Sequence, residues 1–269
     1  MSYSNYYTTS GLFHGAFPSI MGTQFDLLML GRDPKLLDEL WSAIESELIR
    51  LDKMLNRFDP ASEVSLVNRT AFLHPVEVTD ELWTILQDCK QCFEWTEGLF
   101  DITVDDFNLV KLDDNHGVSF LEEKIQLDFG GYGKGYALGR IQPMLREKGI
   151  QQALVNFGNS SILAVGTHPY GDYWPVGLDN PYTHQRMVDL QLKDTVLSTS
   201  GNMPSHPKHI IDPSTGAFVD ERKMVSVVAE NPVVTEVLTT AFMIADEAQR
   251  QRIATRFKIN EDNIYMYQL

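Results

Sequence analysis

An α+β chain is predicted, on three observations. Long amphipathic helical patterns dominate the first hundred residues. Short apolar runs separated by Gly, Asn and Asp fill the centre and read as strands. Helix and strand patterns then close the chain with no Pro/Gly/Ser-rich or charge-run linker between the halves. The 269 residues, 43% apolar and 22% charged, suit one large soluble domain with a sizeable core. Its expected form is helices packed on antiparallel-rich sheets, with residues 1–20 as an N-terminal arm and 21–269 as the domain. Residues 1–10 are the stretch expected to lack order.

The run MGTQFDLLML at 21–30 alternates at first and reads as a strand. Asp33 stands where a helix cap belongs, with Pro34 at the first helical position. Leu37, Leu40, Trp41, Ile44, Leu48 and Leu51 recur at helical spacing, so this helix runs to about residue 54. Arg57-Phe58-Asp59-Pro60 ends it, and 62–68 adds a further helical turn. Thr79 caps a second helix, with Asp80 and Glu81 in its first turn, that ends near Gly98. Residues 118–120 and 124–129 read as two short strands around an acidic turn. A glycine-dense loop follows, then a helix from about 134 to 148 stopped by Gly149, with Pro143 predicted to kink it or mark an early break. Strands are predicted at 153–157, 161–165, 174–178, 195–199 and 225–229. Asn231-Pro232 leads into a helix over 234–245, a shorter helix occupies 247–256, and 263–267 is a final strand.

A formal charge of −15 opposes non-specific attraction to nucleic acid or anionic lipid. It also repels an anionic nucleotide, so a phosphate site here needs a local cation, and carboxylates can hold Mg²⁺ for that purpose. Cys89 and Cys92 form a C-x-x-C pair in mid-helix, without the strand-to-helix setting of a redox motif or the second ligand pair of a zinc site. They are expected to be ordinary buried residues. No run of about 18 apolar residues predicts a transmembrane helix. Cytoplasmic residence is the expectation from the N-terminal pattern, although a chain trimmed of an export signal would read the same.

The loop Asp128-Phe129-Gly130-Gly131-Tyr132-Gly133-Lys134-Gly135 runs from a strand into a helix, which is a general phosphate cradle. Register excludes two familiar versions. The dinucleotide pattern requires glycine where Tyr136 stands, and the Walker pattern requires Ser or Thr where Gly135 stands. Taken alone, the loop equally suits a tight structural turn against a sheet.

The loop DFGGYGKGYA at 128–137 resembles that of the ApbE-like FAD:protein FMN transferases. Further segments match in the same order. They are Met21-Gly22-Thr23; Arg57-Phe58-Asp59-Pro60 with Ser62, Glu63, Ser65 and Asn68; and Gly98-Leu99-Phe100-Asp101-Ile102-Thr103-Val104. Thr199-Ser200-Gly201-Asn202, then His209-Ile210-Ile211-Asp212-Pro213-Ser214-Thr215-Gly216, and the late helix from Thr235 to Phe242 complete the series. The resemblance spans 21 to about 245.

What the resemblance implies is a T-fold-related α+β architecture binding FAD in an elongated cleft. Mg²⁺ would bridge the pyrophosphate, and FMN would pass to a Ser or Thr of a target flavoprotein with release of AMP. The implied metal positions are Glu236, Thr240 and the carbonyl of Gly133; Glu236 and Thr240, four apart, share a helix face. His209 is the implied base for the acceptor hydroxyl, chemistry suited to a near-neutral imidazole. Met21, Thr23, Asp101, Gly131, Lys134, Ser200, Gly201 and Asn202 are the implied FAD contacts. Glu236 departs from the family's aspartate, Ser160 replaces an acid in the Asn156–Ser160 segment, and the stretch between Thr103 and Leu127 is short. FAD pyrophosphatase activity at the same site, with water as nucleophile, is one rival reading; Glu236 and the short middle stretch motivate another, flavin binding without catalysis.

Overall fold

A computed structural model describes residues 2–103, 105–204, 210–213 and 215–269. The chain opens on a hairpin: β1 (Tyr3–Tyr7) pairs antiparallel with β2 (Leu12–Ile20), so the stretch expected to lack order is the first strand of the sheet. Its side chains alternate between exposed and half-buried, which is why a polar composition hid it. Strand β2 turns into β3 (Thr23–Leu30) through Met21 and Gly22, at φ 49° and 79°. Two residues with positive φ are what a two-residue hairpin turn of matching twist requires. Asp52 accepts the Met21 N–H and holds this tip, while burial raises its carboxyl above the ordinary range.

Helix α1 (Pro34–Leu55) starts where Asp33 accepts the N–H groups of Lys35 and Leu36, as its cap position predicts. Ser62 caps α2 (Glu63–Thr70), and Thr79 caps α3 (Asp80–Trp95). A small sheet, in the order β4-β6-β5, joins β4 (Val76–Glu77), β5 (Val110–Leu112) and β6 (Gly117–Phe120). The strand expected at 124–129 is absent. Asn68 instead accepts the Leu127 N–H at 2.7 Å and donates to the Leu127 carbonyl at 3.0 Å. One amide side chain thus satisfies the backbone groups that a neighbouring strand would take. Helix α4 (Gly133–Glu147) continues through Pro143, because the helix ends one turn later and little of it lies beyond the lost N–H.

The remaining elements are β7 (Ala153–Phe157), β8 (Ser161–Val165), β9 (Trp174–Asp179), β10 (Arg186–Leu192), β11 (Val196–Gly201), β12 (Ile211–Asp212), β13 (Ala217–Phe218), β14 (Lys223–Ala229), α5 (Pro232–Phe242), α6 (Glu247–Phe257) and β15 (Ile264–Gln268). The main sheet runs β1-β2-β3-β7-β8-β11-β14-β15, antiparallel at every pairing. Strand alternation divides its side chains between two cores. On β8, Leu163 and Val165 join the main core with α1, α4 and α5, whereas Ala164 faces the β9–β10 hairpin. That hairpin contributes Trp174, Val176 and Leu190 to the second core. The sheet is therefore covered by helices on one face and by a hairpin on the other.

The helices are tied at their surface by one charged network. Arg50 of α1 donates to Glu47 on its own helix and to Glu81 of α3, while Arg140 of α4 donates to Glu47. These contacts lower the carboxyls of Glu47 and Glu81 from the ordinary value of 4.5. A carboxyl depressed on folding contributes stability above its unfolded value and loses it as pH falls through the folded one. Arg50→Ala should therefore lower the melting temperature near neutrality and narrow its gap from wild type below about pH 4. A constant gap across the acid limb would show that the network does not act through these carboxylates.

Candidate active site

A cleft of about 1100 Å³ lies where the glycine loop, α4, α5 and the strand ends of β8 and β11 meet. The loop is anchored before it reaches the cleft. Asp128 donates its N–H to the Ile102 carbonyl at 2.7 Å, and its side chain accepts the Gly130 N–H at 2.8 Å. Arg57 stands 3.2 Å from the same carboxylate. The Arg57–Asn68 segment serves this anchorage: Ser65 donates to the Arg57 carbonyl, Asn68 clamps Leu127, and Glu63 accepts from Thr79.

Gly135 faces α5. A Cβ there would stand 2.6 Å from the Pro232 carbonyl oxygen and 2.8 Å from Cγ of Glu236, so only glycine allows α4 this close. The approach puts Lys134 against Glu236, with Nζ 3.0 Å from Oε2 and the two side chains 19% and 7% exposed. The other oxygen, Oε1, accepts from Ser161 of β8 and, at 3.1 Å, from Ser198 of β11. A buried carboxylate is tolerated here because both oxygens are engaged and a cation balances its charge. Thr240 follows one turn later, with Oγ1 3.3 Å from where a Cβ on Gly131 would be.

Of the residues named from the sequence, Asp101, Gly131, Lys134, Ser200, Gly201, Glu236 and Thr240 line this cleft. Four do not. Met21 forms the β2–β3 turn and packs its methyl against Gly133, while Gly133 itself is buried at the start of α4. Gly130 and Gly131 are the loop glycines that line the cleft. Thr23 packs behind Gly158, and Asn202 donates to the carbonyls of Val219 and Glu221. His209 lies outside the described residues.

Asp101 has a structural task in addition to its place on the wall. It accepts the N–H and hydroxyl of Thr103 and the N–H of Phe107. Burial raises its carboxyl, and these hydrogen bonds offset part of the rise. Asp101→Ala leaves those donors without their acceptor and should destabilise the protein by about 1–3 kcal/mol. Chemical denaturation measures this, and an unchanged midpoint would rule out the structural role.

The hydroxyls of Ser161 and Ser198 were not singled out from the sequence. Their signal was a small polar residue at an inward position of an apolar strand, and both are buried. The pair Arg57–Asp128 was visible only as motif letters. An apolar wall formed by Met203, Pro204, Ile210, Pro213 and Phe218 was also missed, since local pattern does not bring that segment opposite the glycine loop.

Could the site hold Mg²⁺? Its donors are hard oxygens, the Glu236 carboxylate and the Thr240 hydroxyl, while Ser161 and Ser198 are spent on holding the glutamate. Among the described residues no cluster of three or more His, Cys, Asp or Glu occurs. One carboxylate with one hydroxyl fits an ion that keeps waters and takes phosphate oxygens, which is the habit of Mg²⁺.

Fold and cleft together define a single-domain α+β protein with an anchored glycine loop set against a helix-borne buried carboxylate. The chain belongs to the ApbE family, whose model matches residues 21–108 and 106–261. Two similar proteins are the FAD:protein FMN transferases of Chlamydia muridarum, 26% identical over 71% of this chain and 71% of that protein, and of Salmonella typhimurium, 23% identical over 88% and 79%. Among solved structures, the flavin transferase ApbE from Vibrio cholerae superposes with a TM-score of 0.81 at 19% identity, covering 94% of this chain and 96% of that one. The ApbE protein from Thermotoga maritima gives 0.80 at 21% identity, covering 95% and 93%. At these identities the solved structures establish the fold.

Proposed function

We propose that the chain is a Mg²⁺-dependent FAD:protein FMN transferase. The observation that carries this reading is Glu236, buried, charge-balanced and lining the same cleft as the glycine loop and Thr240. The acceptor is a Ser or Thr hydroxyl of a target flavoprotein. Its oxygen forms a bond to the FMN phosphorus, the bond from that phosphorus to the bridging oxygen breaks, AMP leaves and the hydroxyl proton passes to a base. Bound at Glu236 and Thr240, Mg²⁺ would supply positive charge to the pyrophosphate. Lys134 offers a second positive charge at the loop, and the apolar wall suits a ring system while limiting water. His209, by its motif, takes the acceptor proton.

The test is incubation with FAD and Mg²⁺, with and without a candidate acceptor. Transfer predicts AMP that depends on the acceptor, plus an FMN mass increase on it. AMP released equally without acceptor would replace this reading with FAD hydrolysis. Tight FAD binding with no AMP under any condition would leave a binding protein. His209→Ala should reduce transfer far more than FAD affinity; equal losses in both would remove it as the base.

A further inference from the structure

One oxygen of Glu236 has two claimants. Oε1 is fixed by Ser161 and Ser198, which approach from two neighbouring strands. Oε2 accepts from the Lys134 ammonium at 3.0 Å, within the same cleft as Thr240. An ammonium and a divalent ion repel each other, so an ion arriving at that oxygen weakens the hold of the ammonium beside it. Lysine carries its charge on a flexible four-carbon stem, so it can leave one partner for another without moving α4. The departing charge would remain at the start of α4, beside the glycine loop.

We propose that Lys134 is the placeholder for the cation on Glu236. A divalent ion takes Oε2, and Lys134 is passed to the phosphate oxygens of the incoming nucleotide. Ser161 and Ser198 act as positioning residues, holding the glutamate so that the same oxygen is offered to both claimants. This inference rests on the metal site proposed above. It gives an acidic protein a way to keep this carboxylate buried before the cation arrives.

The experiment measures Mn²⁺ binding to the full chain without nucleotide, following free Mn²⁺ by electron paramagnetic resonance. Lys134→Met should bind Mn²⁺ severalfold more tightly than wild type, because no ammonium has to be displaced. Arg57→Met removes a charge from the same cleft without touching Glu236 and should shift binding much less. Ser161→Ala and Ser198→Ala should each weaken binding, roughly 10–100-fold, as loss of a ligand's supporting hydrogen bond does. Lys134→Gln repeats the measurement should the methionine variant fold poorly, with circular dichroism confirming the fold. Unchanged or weaker Mn²⁺ binding in both folded Lys134 variants, with binding still lost in Glu236→Ala, overturns the exchange and spares the metal site. Equal tightening in Arg57→Met reduces the effect to general electrostatics and also overturns it. Unaltered binding in Glu236→Ala would overturn the metal site itself.

Discussion

Glu236→Ala is expected to lower Mg²⁺-dependent release of AMP from FAD by on the order of 100- to 1000-fold, the scale seen when a preorganised charge is removed from a reacting centre. FAD affinity should change far less, since the apolar wall and the glycine loop remain. The substitution also leaves Lys134 without its counter-charge and Ser161 and Ser198 without their acceptor. Titrating Mg²⁺ against rate separates these effects: loss of a metal ligand raises the Mg²⁺ requirement, whereas local collapse lowers the rate at every concentration. Wild-type turnover at ordinary Mg²⁺ would show that the metal lies elsewhere.

Gly135→Ala is expected to damage both stability and activity. Its new methyl would press on the Pro232 carbonyl and on the stem of Glu236, at 2.6 and 2.8 Å. Overpacking of this kind costs about 1–3 kcal/mol, which for a protein of this size lowers the melting temperature by roughly 2–4 °C per kcal/mol. Relief requires α4 and α5 to separate, and that movement draws Lys134 from Glu236. Activity should therefore fall further than the population of folded protein. Gly139→Ala, on the same helix where a Cβ meets nothing within 4 Å, is the control and should be near neutral. Equal behaviour of the two variants would contradict the close helix contact.

Much of this architecture was legible because its signals are local. Asp33, Ser62 and Thr79 cap α1, α2 and α3 through the hydrogen bonds their positions suggest. Apolar periodicity places α1 against the sheet, and β7, β8, β11 and β14 fall where short apolar runs predict them. The failures have non-local causes. Strand β1 exposes too much of each side chain to show a pattern, and the stretch before the glycine loop is served by Asn68 from far earlier in the chain.

The site divides in the same way. Lys134, Glu236 and Thr240 were found through motif order, and the fold brings all three to one cleft. Ser161 and Ser198 carry no motif, and only the packing of α5 on β8 and β11 reveals what they hold. Met21 and Thr23 show the reverse case. Their motif is the tip of a hairpin, with Met21 resting on Gly133 and Thr23 on Gly158, so they shape the cleft's supports instead of lining it.

The two borders of the eight-stranded sheet are β1 and β15, drawn from opposite ends of the chain. Each hems the sheet by occupying the hydrogen-bonding edge of its neighbour. Trimming either end would bare β2 or β14 as a new border, open to pairing with another molecule. Shortened proteins should then be lost to self-association while every residue of the cleft is still present. Poor yield on truncation would report on the hem, and tags or fusions belong on linkers long enough to leave both borders paired.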